Sequence, residues 1–232
     1  MTLRTSASWK GFIADSAETT KEFWENTSIE ELEKMMGTSQ KKWSAWLDVS
    51  ARVITETGSV FEPGCGLGLL GDIVIEKYGC RYYGCDINRT FLAVASQRLG
   101  KYGYSAQVEY ADLYEKLAKW EESNHTFDWV IVTSLFGMFP EDESYRLLSR
   151  FWDRSKKGMS ITTLNKEKYD ETFKKKRKNN LTSHDPEELR EFISKLPGIG
   201  KFEVIDDLED GNMNRKMVCY LYREVDSLIE TL

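Results

Sequence analysis

Phe61-Glu62-Pro63-Gly64-Cys65-Gly66-Leu67-Gly68-Leu69-Leu70 follows the apolar start Gly58-Ser59-Val60, and a second apolar stretch ends in Tyr82-Tyr83-Gly84-Cys85-Asp86. No other feature limits the possible folds as tightly. Three glycines at alternate positions remove each Cβ from a strand-to-helix turn, so backbone N–H groups can approach a ligand that a side chain would hold away. Asp86 falls where a second parallel strand should end, placed to accept hydrogen bonds from a ribose diol. The pair predicts a nucleotide-type ligand at the carboxyl end of a buried strand.

Spacing separates the possible ligands. A dinucleotide fingerprint requires G-x-G-x-x-G, and aligning Gly64 and Gly66 to its first two glycines puts Leu69 in the third place. The chain instead has E-x-G-x-G-x-G, which resembles the first motif of the class I S-adenosylmethionine (SAM) dependent methyltransferases, with Asp86 matching the acid that ends their second strand. Ser105-Ala106-Gln107-Val108-Glu109-Tyr110-Ala111-Asp112-Leu113 resembles the third strand of that family. Phe127-Asp128-Trp129-Val130-Ile131-Val132-Thr133-Ser134 resembles the fourth, an apolar run suited to a strand covered on both faces. The resemblance covers roughly residues 58 to 165.

It implies SAM as cofactor, S-adenosylhomocysteine as product, and a cofactor site built from Glu62, Gly64, Cys65, Gly66, Gly68, Asp86, Ile87, Asp112, Leu113 and Thr133. It also implies that methyl transfer takes place above Gly64 to Gly68, with the loop from Thr133 to Pro140 on the acceptor side. Amino-methyltransferases of bases or glutamine commonly carry Asn/Asp-Pro-Pro-aromatic after the fourth strand; Thr133-Ser134-Leu135-Phe136 does not match, which favours a small-molecule acceptor. Two alternatives stay open: an acceptor at a peptide, protein or RNA end, and a non-catalytic scaffold that keeps the fold. Aminopropyl transfer on the same fold is a minor further possibility.

From residue 58 onward strands and helices alternate, predicting an α/β, doubly wound, mostly parallel seven-stranded sheet. Strands are expected near 59–63, 81–86, 106–110, 127–133 and 158–164, and helices near 67–78, 89–100, 113–122 and 142–155. The runs 201–206 and 217–222, separated by Asp210-Gly211-Asn212, predict a C-terminal antiparallel hairpin whose last strand is reversed. Residues 1–57 are expected to form an N-terminal helical cap on the 58–232 domain. Ser28-Ile29-Glu30-Glu31 opens one helix as a capping box, Gly37-Thr38-Ser39 breaks the chain, and a longer helix runs from about 40 to 56.

The cap holds four of the seven tryptophans, Trp9, Trp24, Trp43 and Trp46, which either pack helices onto the sheet or roof a substrate site. Trp9, Phe12 and Trp24 are the lining candidates here, joined from the main domain by Ser134, Phe136, Phe139 and Tyr169. Phe23 is a further candidate from the cap. Lys166 to Lys178 contains seven basic and three acidic side chains, a balance of +4 in a chain of −6, and leaves from a strand's carboxyl end. It is either a solvated run or a docking strip for an anionic acceptor. Next to it, Asp185-Pro186-Glu187-Glu188 caps a helix. Capping leaves His184 unexplained. It is either an exposed residue ahead of the helix or a loop histidine serving as general base.

Composition removes other classes. At 232 residues and 41% hydrophobic the chain can bury a substantial core, and its acidic balance disfavours double-stranded DNA as the main partner. No membrane span or signal peptide is legible, so a cytoplasmic protein is expected. Cys65, Cys80, Cys85 and Cys219 form no C-x-x-C pair and are expected to be reduced core residues, with no metal site.

Overall fold

The computed structural model describes residues 17–36, 40–169, 181–206 and 216–224. Three helices come first, α1 (Ala17–Glu25), α2 (Ile29–Met36) and α3 (Gln40–Ala51). A strict alternation follows: β1 (Ser59–Pro63), α4 (Leu69–Tyr78), β2 (Arg81–Asp86), α5 (Arg89–Leu99), β3 (Ala106–Tyr110), α6 (Leu113–Glu122), β4 (Phe127–Thr133), α7 (Glu141–Arg154) and β5 (Ser155–Asn165). The chain closes with β6 (Ser183–His184), α8 (Pro186–Ser194), β7 (Ile199–Ile205) and β8 (Lys216–Arg223).

The strands join in the order β3-β2-β1-β4-β5-β8-β7, with β6 beside the end of β5. The pairs β1–β2, β2–β3, β1–β4 and β4–β5 are parallel, while β8 runs antiparallel to both β5 and β7. The expected doubly wound sheet, with its reversed last strand, is therefore observed, and β6 is an eighth strand that the sequence did not announce. Two residues are too few to show a period. The strand order reverses between β1 and β4, which opens a crevice outside their carboxyl ends.

Alternation along each strand sends side chains to both faces, and helices cover both. Val130 and Val132 of β4 join Phe61, Met159 and Ile161 under α6, α7 and α8, packed on Trp120, Leu147, Phe151 and Leu189. Trp129 and Ile131 point the other way, into a cluster with Val60, Tyr82, Val74 of α4, Leu99 of α5 and Trp46, Leu47 and Ala51 of α3. Because α3 supplies core side chains, the expected division at residue 57 does not coincide with a break in packing. Ser50 on α3 lies 3.2 Å from Thr162 of β5, and Tyr220 of β8 donates to the Val49 carbonyl at 2.6 Å.

Helix starts follow their local chemistry. Ser28 and Glu31 exchange hydrogen bonds at 3.1 Å as a capping box for α2, and Asp185 caps α8 with Pro186 at its first position. Asn88 and Asp112 cap α5 and α6. The Asp210-Gly211-Asn212 turn and the Gly37-Thr38-Ser39 break lie outside the described residues, as do Trp9, Phe12 and most of the lysine-rich run. No helix among the described residues is long and apolar enough to cross a membrane.

Gly158, paired with Tyr222 between β5 and β8, marks the tightest approach in the sheet. A Cβ there would stand 2.5 Å from the Leu221 carbonyl oxygen and 3.1 Å from the Trp129 ring. Gly158→Ala should therefore lower unfolding stability by about 2–4 kcal/mol, read from urea midpoints, because a backbone atom cannot yield as a side chain can.

Candidate functional site

The carboxyl edge of the sheet is assembled around the turn after β1. Gly64, Gly66 and Gly68 all adopt left-handed backbone, with φ of 66°, 52° and 70°. Their surroundings differ. A Cβ on Gly68 would meet Leu99 and Ala95 of α5 at 3.0 and 3.1 Å, so this glycine allows close helix packing. A Cβ on Gly66 would meet nothing within 4 Å, so this residue faces the open crevice. The Cys65 amide donates to the Cys85 carbonyl at 2.9 Å, and its side chain packs so close to Gly84 that a Cβ there would stand 2.8 Å away.

Asp86 ties the turn to β2. One carboxylate oxygen accepts the Gly66 N–H at 2.8 Å and the other accepts the Asn88 N–H at 2.8 Å. Burial raises its pKa, against the pull of the Asn88, Gly66 and Ile87 amides. Glu62, buried at the end of β1, accepts from the Tyr82 hydroxyl at 2.5 Å and the Thr133 hydroxyl at 2.9 Å. Burial pushes it up to about 8 even though both hydroxyls favour the carboxylate, and the charge of Asp86 adds to the rise.

Helix α1 lies across this edge. Thr20 donates to the Met138 carbonyl beyond β4, and Lys21 forms an ion pair of 2.7 Å with Asp112 at the end of β3. Asn88, beyond β2, donates to the Trp24 and Thr27 carbonyls, both at 2.8 Å. Burial alone would raise the Asp112 carboxyl, but the Lys21 ammonium and the Glu115 and Tyr114 amides override it and hold the pKa below the ordinary value.

Residues 60–158 match the family model described as a methyltransferase domain. That stretch is similar to a methyltransferase domain over 99 of the 232 residues. The chain is similar to solved methyltransferase structures. One is a magnesium protoporphyrin IX methyltransferase from Synechocystis with bound SAM, at 15% identity and TM-score 0.62, covering 96% of this chain and 100% of that one. Another is a SAM-dependent methyltransferase from Archaeoglobus fulgidus, at 14% and 0.62, covering 83% and 98%. A third is phosphoethanolamine N-methyltransferase 2 from Haemonchus contortus, complexed with phosphomonomethylethanolamine and S-adenosylhomocysteine, at 14% and 0.57, covering 78% and 52%. No curated protein matches the chain by sequence.

Within the matched stretch, Glu62, Gly64, Gly66, Asp86 and Thr133 converge around one turn. Cys65 is buried in the core beside Gly84, while Ile87 and Leu113 follow the acids of β2 and β3. Ser134 is half-buried with a φ of 57°, a backbone that non-glycine residues seldom adopt. Trp24 is half-buried on α1 and sets its ring edge against Phe23 at 5.2 Å. Phe136 and Phe139 belong to the core cluster, and Tyr169 is buried.

His184 requires correction, since it is neither exposed nor on a loop. It pairs with Asn165 in β6, its Nδ1 lies 2.7 Å from the Thr163 hydroxyl, and its ring is edge-on to Tyr145 and Phe136 beneath α7 and α8. Burial, with a smaller push from Lys166, lowers its pKa to about 4, so it is a neutral core histidine at physiological pH. All four cysteines are free and buried. Three residues escaped the sequence reading. Asn88 and Lys21 tie α1 to the edge, and Lys216, at the start of β8, donates to the Ser134 hydroxyl at 3.2 Å. Asn88 stands in the cap position before α5, a signal that could have been read. Neither lysine belongs to any motif.

The folded protein keeps the proton of Glu62 that the unfolded chain releases near the ordinary value of 4.5. This contribution to stability is fully present below that value and declines as pH rises to about 8. Between pH 5 and 8 the Tm of the wild type should fall by roughly 5–10 °C more than that of Glu62→Gln, which keeps a neutral hydrogen-bonding group there.

Proposed function

We propose that the protein transfers a methyl group from SAM to a small acceptor, probed here through the edge formed by β1, β2 and β4. The observation that carries this reading is the Gly66–Asp86 arrangement: a left-handed glycine facing an open crevice, with a carboxylate held at the position suited to a ribose diol. Gly64 to Gly68 offer a surface free of side chains to the cofactor, Asp86 takes the ribose, and the first turn of α6 after Asp112 takes the adenine end. SAM supplies an electrophilic methyl group with its leaving group attached, so the protein has to orient the acceptor and exclude water. The bound SAM of the Synechocystis enzyme and the bound S-adenosylhomocysteine of the Haemonchus enzyme support the same ligand class here.

The α1 crossing supports a small acceptor over a large one. A helix held at the ends of β2, β3 and β4 roofs the crevice and narrows the approach. An acceptor with an anionic group agrees with the basic run from Lys166 and with the phosphate-bearing ligand of the Haemonchus enzyme. Within the cap, α1 is the element we assign as the lid.

Calorimetry tests the cofactor assignment. The wild type should bind SAM and S-adenosylhomocysteine, and Asp86→Ala should weaken both by about 1–3 kcal/mol, through loss of the ribose partner and of the carboxylate that fixes the turn. A wild type that binds neither ligand would refute the assignment.

Hydrogen exchange tests the lid. Added S-adenosylhomocysteine should slow amide exchange across residues 17 to 27, which cover α1 and its carbonyl contacts to Asn88. Unchanged protection there would leave α1 a structural strap.

A further inference from the structure

Lys216 stands where the reversed last strand returns to the carboxyl edge. As the first residue of β8 it is level with Leu164, next to last in β5. Its Nζ donates to the Ser134 hydroxyl at 3.2 Å and lies 3.3 Å from the centre of the Trp46 ring, contributed by α3. Ser134 directly follows Thr133, whose hydroxyl is bonded to Glu62 at 2.9 Å, and Glu62 opens the glycine turn. An amine is thus carried by a strand with no part in the cofactor motifs to the residue that joins β4 to the acceptor-side loop.

Two further observations point to use. Ser134 keeps a left-handed backbone at a non-glycine residue, a costly conformation that survives where surroundings enforce it. Burial lowers the Lys216 pKa to about 7, so a large share of the group is unprotonated near neutrality. A neutral amine keeps a lone pair while donating to Ser134. Tuning of a lysine into this range suits general-base work.

We propose that Lys216 faces the methyl-transfer position and accepts the proton of a hydroxyl or amine acceptor, with Ser134 orienting it. The acceptor's O–H or N–H bond breaks and its proton passes to the Nζ lone pair. Its bonding electrons stay on the nucleophilic atom, which forms the new bond to the methyl carbon as the carbon–sulfur electrons return to sulfur. The site therefore takes a protic nucleophile. This assignment rests on the SAM reading above.

The test needs no acceptor. SAM has a positive sulfur and S-adenosylhomocysteine a neutral one, so an ammonium facing the transfer position penalises only SAM. Kd for both ligands should be measured by calorimetry from pH 6 to 8.5 in the wild type, Lys216→Met, Lys216→Gln and Lys216→Arg. The described groups around Lys216 include Ser134 at the end of β4 and Trp46 on α3, with Thr133 next to Ser134 and Glu62 bonded to Thr133. Glu62, Asp86 and the ligands' own amines titrate alike in all four proteins, so the comparison among variants isolates Lys216. In the wild type the ratio of the SAM Kd to the S-adenosylhomocysteine Kd should fall by about three- to tenfold more with rising pH than in the Met and Gln variants. The Arg variant, which stays charged, should hold the high ratio across the range. Parallel profiles in all four proteins would overturn the assignment while leaving the SAM reading intact. A wild type that binds neither ligand would overturn both, and the Gln variant serves if the Met variant does not fold.

Discussion

The carboxylate of Asp86 is the interaction on which the functional edge depends. Its two oxygens accept from Gly66 on one side and Asn88 on the other, so one group fixes the glycine turn after β1 and the turn after β2. Asn88 passes the constraint on. Its side-chain oxygen caps α5 through the Thr90 and Phe91 amides, and its side-chain nitrogen holds the carbonyls of Trp24 in α1 and of Thr27 just beyond it. Glycine turn, second strand and overlying helix are thereby registered to one another by bonds that meet at nearby residues. Apart from Thr90 the partners are buried or half-buried, where an unmade bond costs more than a made one contributes.

Burial also sets the charge states at this edge. Glu62, Asp86 and Lys216 lie where desolvation penalises the charged form, so the acids move up and the lysine moves down. Asp112 goes the other way, since Lys21 reaches it from α1. The edge therefore gathers groups poised near neutrality on the β1–β4–β8 side and a firmly ionised pair on the β3 side. That division follows from how deeply each element is covered.

Local chemistry wrote much of the fold into the chain. Apolar runs, the glycines at 64, 66 and 68, and the caps at Ser28 and Asp185 act over a few residues, and each appears as an element in its expected place. The expected cofactor residues were placed in the chain for the same reason. They sit at the carboxyl ends of β1 to β4, where turn and cap geometry demand particular residue types.

Distance in sequence concealed the rest. His184 looked like an exposed residue before a helix, because nothing in Ser183-His184 announces pairing with Leu164 and Asn165, and that pairing buries the ring. For the helix from Gln40 the sequence allows either packing on the sheet or roofing of a site, and the fold puts its Trp46, Leu47 and Ala51 in the core on one face of the sheet. Lys216 carried no signal, and only the antiparallel return of β8 places its amine against Ser134. The sequence by itself determined the α/β alternation, the glycine turn and the acids that close β1, β2 and β3, because short-range sterics and capping specify them. Which side chains face one another across the crevice was decided only by the tertiary structure, because strand order and burial join residues that no local pattern connects.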